Sequence, residues 1–275
     1  MRWITARRRR PLFGYAAVLL ALVAVGMLYA AVTGLGGRAS ASSPNPSLDQ
    51  VSAGKALFAV SCASCHGEYA QGSSVAPSLI GAGAAAVHFQ MSTGSMPLKD
   101  TDAEAPRKPV TFSQQQIYAI AAYVASLGGG PAIPTPDQYS TAGADTGLGQ
   151  SLFNANCAQC HNYAGAGGAL TDGKYAPPLT QSTNRQIYEA MLTGPEAMPV
   201  FNDSTLTPSD KRDIIAYVTP TRAEPNPGGV SLGRVGPTTE GLVAWLGGIG
   251  ALVLAAMWIT AKRREERTGE ITGNR

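Results

Sequence analysis

The chain has 275 residues with 44% hydrophobic and 14% charged side chains, 32 Gly, 19 Pro and four Cys. This balance excludes long intrinsic disorder and leaves room for one large domain or two small ones. The middle of the chain has no apolar run long enough to cross a bilayer, so a wholly integral membrane protein is excluded too. The net charge of +3 sits in the tails: five Arg lie within residues 1–10 and five basic residues within 262–275, whereas 38–240 carries 11 basic and 15 acidic residues, a net of −4. A nucleic-acid partner is disfavoured by that distribution.

In chain order, residues 1–37 read as a cytoplasmic Arg tail and a membrane segment. Arg7 to Arg10 precede an uncharged run from Pro11 to Gly37. Ala39-Ser40-Ala41 would serve as a signal cleavage site, but the uncharged run is longer than a signal h-region, which favours a retained anchor. A first domain is expected over 50–127, a Gly/Pro-rich linker over 128–146, a second domain over 147–222 and another linker over 223–240. Residues 241–261 are uncharged and, at about 1.5 Å per residue, match the roughly 30 Å hydrocarbon core as a transmembrane helix. Trp245 and Trp258 fit the interfacial belt, and 262–275 form a basic cytoplasmic tail. The positive-inside rule then places both termini in the cytoplasm and residues of about 38–240 outside it, on a chain with two membrane helices.

The two domains are an internal repeat. Gly54-Lys-Ala-Leu-Phe-Ala-Val-Ser-Cys62-Ala-Ser-Cys65-His66 aligns with Gly149-Gln-Ser-Leu-Phe-Asn-Ala-Asn-Cys157-Ala-Gln-Cys160-His161. Ala76-Pro77 then pairs with Ala176-Pro177, Met91 and Gly94 with Met191 and Gly194, Met96-Pro97 with Met198-Pro199, and Tyr123-Val124 with Tyr217-Val218. Helix signals dominate each copy, so the expected fold class is all-α. Ser52 and Asp145 are candidate N-caps, helices are expected over 113–124 and from Pro208 with Pro at the first helical position, and no stretch alternates with period two. Phe58 with Tyr123, and Phe153 with Tyr217, are expected core pairs.

Cys-x-x-Cys-His, present twice, is the attachment signature of c-type haem: two thiols one helical turn apart reach the two vinyl groups, and the adjacent His faces the iron. A redox dithiol, a zinc site and a disulfide framework compete with this reading for a single pentapeptide. Recurrence at equivalent positions of a repeat disfavours them. The sixth iron position falls to Met96 and Met198, 30 and 37 residues after their histidines, where a thioether favours ferrous iron. Met91 and Met191 read as packing. His88, the remaining histidine, has no equivalent in the second copy and reads as a surface or core residue. The Gly-rich stretches 81–86 and 164–168 lack the preceding strand and Lys-Ser/Thr ending of a phosphate loop.

Over residues of about 50–222 the chain resembles a tandem of class I cytochrome c domains, and with its flanking membrane segments it resembles the dihaem cytochrome c subunit of the actinobacterial menaquinol:cytochrome c reductase, the cytochrome bc1 complex. The resemblance implies two covalently bound haem c groups attached at Cys62, Cys65, Cys157 and Cys160. His66 and His161 would be the proximal and Met96 and Met198 the distal iron ligands, with no catalytic residue. It implies electron transfer from a Rieske iron–sulfur centre towards an aa3-type oxidase, as the electron-transfer subunit of a translocase whose dimeric assembly includes a cytochrome b subunit, the Rieske subunit, the oxidase and membrane lipid. Gly194-Pro195-Glu196-Ala197 is longer than Gly94-Ser95, so the Met198 loop departs from that of the first copy. The alternatives are an electron-transfer subunit of a cbb3-type oxidase or a membrane dehydrogenase, and a dihaem peroxidase, which would leave one iron without Met. In the electron-transfer reading the linker holds the two haems at a fixed separation.

Overall fold

The computed structural model describes residues 11–34, 46–99, 104–223, 232 and 237–273. The Arg tail 1–10, the Ala39-Ser40-Ala41 site and most of the 223–240 linker lie outside the described residues. The chain divides into two units at Ser47. The first contributes one described helix, α1 (Pro11–Gly34), 24 residues without a charge.

The second unit holds both copies of the repeat and the C-terminal helix. The first copy comprises α2 (Leu48–Ser61), α3 (Ala63–His66), α4 (Gly83–Ser92) and α5 (Gln114–Ser126). The second comprises α6 (Thr146–Asn156), α7 (Ala158–His161), the two-residue strands β1 (Gly168–Ala169) and β2 (Tyr175–Ala176), α8 (Asn184–Thr193) and α9 (Pro208–Ala223). The last helix, α10, runs from Pro237 to Gly273. Capping explains several boundaries. Ser113 and Gln116 form a reciprocal capping box at α5, Asp145 accepts from Gly147 and Leu148 at α6, and Thr207 and Asp210 exchange bonds ahead of Pro208. Ser52 does not cap its helix. α2 already begins at Leu48, and the Ser52 hydroxyl donates back to the Asp49 carbonyl at 2.9 Å.

Each copy closes by packing its last helix across its first. Gly54 and Gly149 mark the crossings: a Cβ at Gly54 would lie 1.9 Å from the Ala119 carbonyl oxygen, and one at Gly149 1.9 Å from that of Asp213. Only hydrogen fits there. Beside these points the rings of Phe58 and Tyr123 lie 5.2 Å apart at 58°, and those of Phe153 and Tyr217 5.3 Å apart at 53°, the tilted geometry that aromatic pairs favour. Two separate apolar cores result, one around Phe58, Ile117 and Ile120, the other around Phe153, Tyr188, Met191 and Ile215.

Two findings modify the expectations. An antiparallel pair joins Gly168 to Ala176 and Ala169 to Tyr175, a small hairpin that no alternating pattern announced. The two copies also pack directly on one another through α4 and α8, so the 128–146 segment does not hold them alone. Its own residues are tied down on both sides, Ile133 against the first core and Tyr139 against the second.

Candidate functional site

The helix ending α2 stops at Ser61 and the chain re-enters a single turn, α3, so that Cys62, Cys65 and His66 are presented together; α6 and α7 repeat the arrangement for Cys157, Cys160 and His161. In both copies the same backbone bonds hold the following loop. Gly72 N–H donates to the His66 carbonyl and Leu79 N–H to that of Ala70; Gly167 donates to His161 and Leu179 to Gly165. The loop then returns a proline carbonyl to the histidine. His66 Nδ1 lies 2.8 Å from the Pro77 oxygen and His161 Nδ1 3.1 Å from that of Pro177. A carbonyl can only accept, so Nδ1 carries the proton and Nε2 keeps its lone pair, as a metal-ligating imidazole requires. Burial also pushes the His161 imidazole below its ordinary value, against a smaller upward pull from the Pro177 carbonyl, which keeps it neutral.

The first thiol of each pair, Cys62 and Cys157, is not set up for redox exchange. All four cysteines are free. Burial, with a smaller contribution from the neighbouring thiol, pushes Cys62 up to about 11 and Cys157 up to about 12. A reactive dithiol has a lowered value instead. Among the described residues no three His, Cys, Asp or Glu side chains gather into a metal site.

The second copy carries a cavity of about 410 Å³, within the range of small-molecule and cofactor sites. Cys157, Cys160, His161 and Met198 all line it, and Phe153, Leu179, Ile187, Met191, Phe201 and Ile214 form apolar wall. A flat, largely apolar macrocycle with a central metal suits this set: thiols to anchor it, an imidazole with a free Nε2, a thioether from a separate loop, and hydrocarbon elsewhere. The residues therefore fit a haem c. In the first copy His66 is 9% exposed, and Cys62 and Met96 are half-buried against the same core as Leu79 and Phe112. Met91 and Met191 are buried core residues, 5% and 2% exposed.

Sequence reasoning did not find the residues that the first copy contributes to the second copy's cavity, namely Phe89, Gln90, Thr93, Ser95 and the loop 104–107. Nor did it find the contacts behind them. His88, a core residue at 3% exposure, has its Nδ1 2.7 Å from Glu189 Oε1, and Glu189 is fully buried. The two atoms are close but poorly aligned for a hydrogen bond, and no other polar atom partners the pair. Around them Arg185 donates to the Tyr118 hydroxyl at 2.6 Å and the Tyr139 hydroxyl at 2.8 Å, and Gln186 Nε2 donates to the Ser92 carbonyl at 3.2 Å. The one available signal was negative: His88 is the feature of the first copy that the repeat does not reproduce.

Comparison with known proteins agrees with this geometry. A family model for cytochrome c matches residues 51–128, and one described as cytochrome c oxidase, cbb3-type, subunit III matches residues 144–218. The chain is 44% identical over 276 residues to the cytochrome bc1 complex cytochrome c subunit of Corynebacterium diphtheriae, covering 94% of this chain and 98% of that one. It is 46% identical over 262 residues to the subunit of the same name in Mycobacterium tuberculosis, covering 93% of each. It is also 28% identical over 197 residues to the cbb3-type cytochrome c oxidase subunit CcoP of Cereibacter sphaeroides, covering 66% of this chain and 64% of that one.

Proposed function

Because the chain belongs to the family of cytochrome c subunits of the cytochrome bc1 complex, we propose that it is the membrane-anchored dihaem subunit through which that complex passes electrons from a Rieske iron–sulfur centre towards an aa3-type terminal oxidase. The observation that carries this reading is the convergence of Cys157, Cys160, His161 and Met198 on one largely apolar cavity. A protein with two cytochrome c domains holds two covalently bound haem c groups, each iron storing one electron by cycling between ferrous and ferric states. The residues of this chain do the rest. Cys62, Cys65, Cys157 and Cys160 form the thioether anchors. His66 and His161, oriented by Pro77 and Pro177, would hold the irons from one side and Met96 and Met198 from the other. With both thioethers bound, no position would be left for a substrate, so the chain would move electrons and perform no bond-making of its own. The apolar wall of the second cavity would limit water around a haem held there and so limit reorganisation on electron transfer.

Tandem class I cytochrome c domains occupy 50–127 and 147–222 in this reading. They sit outside the cytoplasm between two membrane helices, 11–34 retained as an anchor and 241–261, with both termini cytoplasmic. Its partners are a cytochrome b subunit, the Rieske subunit and the oxidase, in a dimeric complex acting as a quinol–cytochrome c translocase. The cbb3-type likeness is to subunit III domains and to a relative that matches about two thirds of the chain, so the bc1 reading, which spans nearly all of it, is preferred.

The test is purification from native membranes in mild detergent, with an optical redox titration and mass spectrometry of what co-purifies. Two c-type haems with b-type haems, a Rieske protein and oxidase subunits are expected; two c-type haems with cbb3 or dehydrogenase subunits instead would overturn the assignment to this complex. Within the purified complex, Met198→His should lower one c-type midpoint potential and leave the other, and an unmoved pair of potentials would remove Met198 from the ligand set.

A further inference from the structure

The cavity of the second domain is not closed by the second domain alone. The loop 104–107 of the first domain lies along it, and Arg107 is the one Lys or Arg among its described lining residues. Two bonds hold that side chain in place: its Nη2 donates to Ser182 Oγ and to Gln186 Oε1, each at 3.3 Å. Both acceptors are neutral. Among the described residues no carboxylate pairs with it; Glu104, three residues earlier, instead accepts the Tyr175 N–H at 2.9 Å with each of its oxygens. Arg107 is exposed at the edge of the cavity, and what burial it has lowers its guanidinium from its ordinary value, with no acidic group among the described residues raising it.

A haem brings two propionate carboxylates with it. Carboxylates at the rim of a largely apolar cavity are expensive unless paired, and a guanidinium is the side chain whose donor fork matches a carboxylate. Asn156, Tyr175 and Gln181 also line the cavity and can donate hydrogen bonds without charge, and the carboxylates on its lining, Glu104 and Glu196, would repel a propionate. We propose that Arg107 of the first domain is the counter-ion for a propionate of the haem held by the second domain, so that the second cofactor site is completed across the domain interface. A fixed positive charge there favours the ferrous state. The potential of the second haem then depends on the first domain remaining docked.

This rests on the haem reading of Cys157, Cys160 and His161, and the experiment separates the two. The purified wild-type complex, Arg107→Gln and Arg107→Lys are compared by optical redox titration over a range of pH. Absence of a second c-type haem from the wild type would sink the haem reading itself. With both haems present, Arg107→Gln should shift the ferric/ferrous equilibrium of the second haem about tenfold towards ferric, about 59 mV for one electron, and leave the first haem unmoved. The released propionate should also bind a proton nearer neutrality, making the second midpoint newly dependent on pH, whereas Arg107→Lys should retain a flat profile. A residue that merely supported the interface would produce no such pH dependence. A second midpoint in Arg107→Gln that matches wild type at every pH overturns the pairing. Should that variant fail to accumulate, redox-difference infrared spectra of the wild-type complex labelled with 15N-arginine carry the test: a guanidinium band must move as the second haem is oxidised, and its absence overturns the proposal.

Discussion

At the scale of single residues, the repeat keeps what chemistry and close approach demand and lets the rest drift. The cysteines, histidines and prolines recur because one carbonyl must fix one imidazole in each copy. Gly54 and Gly149 recur because two helix backbones touch there. That makes glycine testable by position. Gly149→Ala would set a methyl 1.9 Å from the Asp213 carbonyl oxygen, a clash with backbone that only a shift of α9 can relieve, and overpacking of this kind costs about 3 kcal/mol. Gly147→Ala, two residues away on α6, would meet only Asp145 Oδ1 at 3.4 Å and should be neutral or stabilise by up to about 1 kcal/mol through helix propensity. Thermal unfolding of the complex, followed at the low-spin absorption of the second haem, should show a marked loss for the first variant and none for the second. Equal midpoints would mean the crossing is looser than the geometry indicates.

At the scale of elements, the two segments that break the repeat are the ones that meet. The offset between copies is 95 at the histidines but 100 at Pro77 and Pro177, and the β1–β2 hairpin takes up the difference. The first copy has its own excess between Met96 and α5, which includes the loop 104–107. Tyr175 of the hairpin bonds Glu104 of that loop, while Arg107 bonds Ser182 and Gln186. α4 and α8 close the contact around His88 and Glu189. Burial raises the Glu189 carboxyl above its ordinary value of 4.5, and His88 and Arg185 offset this in part. A carboxyl raised by folding contributes stability that is present below its unfolded value and lost as pH rises through its folded value. The contact should therefore loosen on the alkaline side of that value, and Glu189→Gln should remove this component. A double-mutant cycle reads the pair directly. Glu189→Leu leaves a buried imidazole unpartnered and should destabilise the domain contact by about 3 kcal/mol, whereas His88→Leu with Glu189→Leu should recover most of it. Limited proteolysis between the domains measures both, and a double variant as fragile as the single one would refute a pairing role. These contacts were illegible in sequence for a physical reason: helices announce themselves by caps and periodicity, as Ser113, Asp145 and Pro208 did, but nothing local in α4 or α8 encodes which distant side chain a buried His or Glu will face. Ser52 misled for a related reason, since a hydroxyl that can cap can also bond back to the preceding turn.

At the scale of the whole molecule, the haem signature, the repeat and the C-terminal helix were all legible, because attachment spacing and uncharged length are properties of contiguous chain. Arg107 and its loop, which line the second cavity from the first domain, were not. The described apolar side chains of the C-terminal helix are exposed around its circumference: Leu252 is 72% exposed, Trp245 71% and Leu246 64%. Its span from Thr239 to Arg264 is long and apolar enough to cross a bilayer, and a helix apolar all round is stable only where lipid or protein surrounds it. Near its end Lys262 Nζ lies 5.8 Å from the centre of the Trp258 ring, where an amphipathic ring and a cation suit the lipid–water boundary. Neither apolar core draws a residue from this helix, so deleting residues 241–275 should leave both c-type haem spectra intact per chain. What it should remove is assembly: co-purification with b-type haem and quinol oxidation should fall together, because the lost helix is a surface through which the chain would pack on its partners inside the membrane. Fractionation of the same variant reads the other end of the chain. If α1 persists as an anchor, the truncated protein stays with the membranes although it no longer joins the complex; if residues before the first domain are cleaved, it is released in soluble, haem-loaded form. Recovery of a full, active complex from the truncated chain would show that the haem domains alone hold the assembly and that the helix is only a tether.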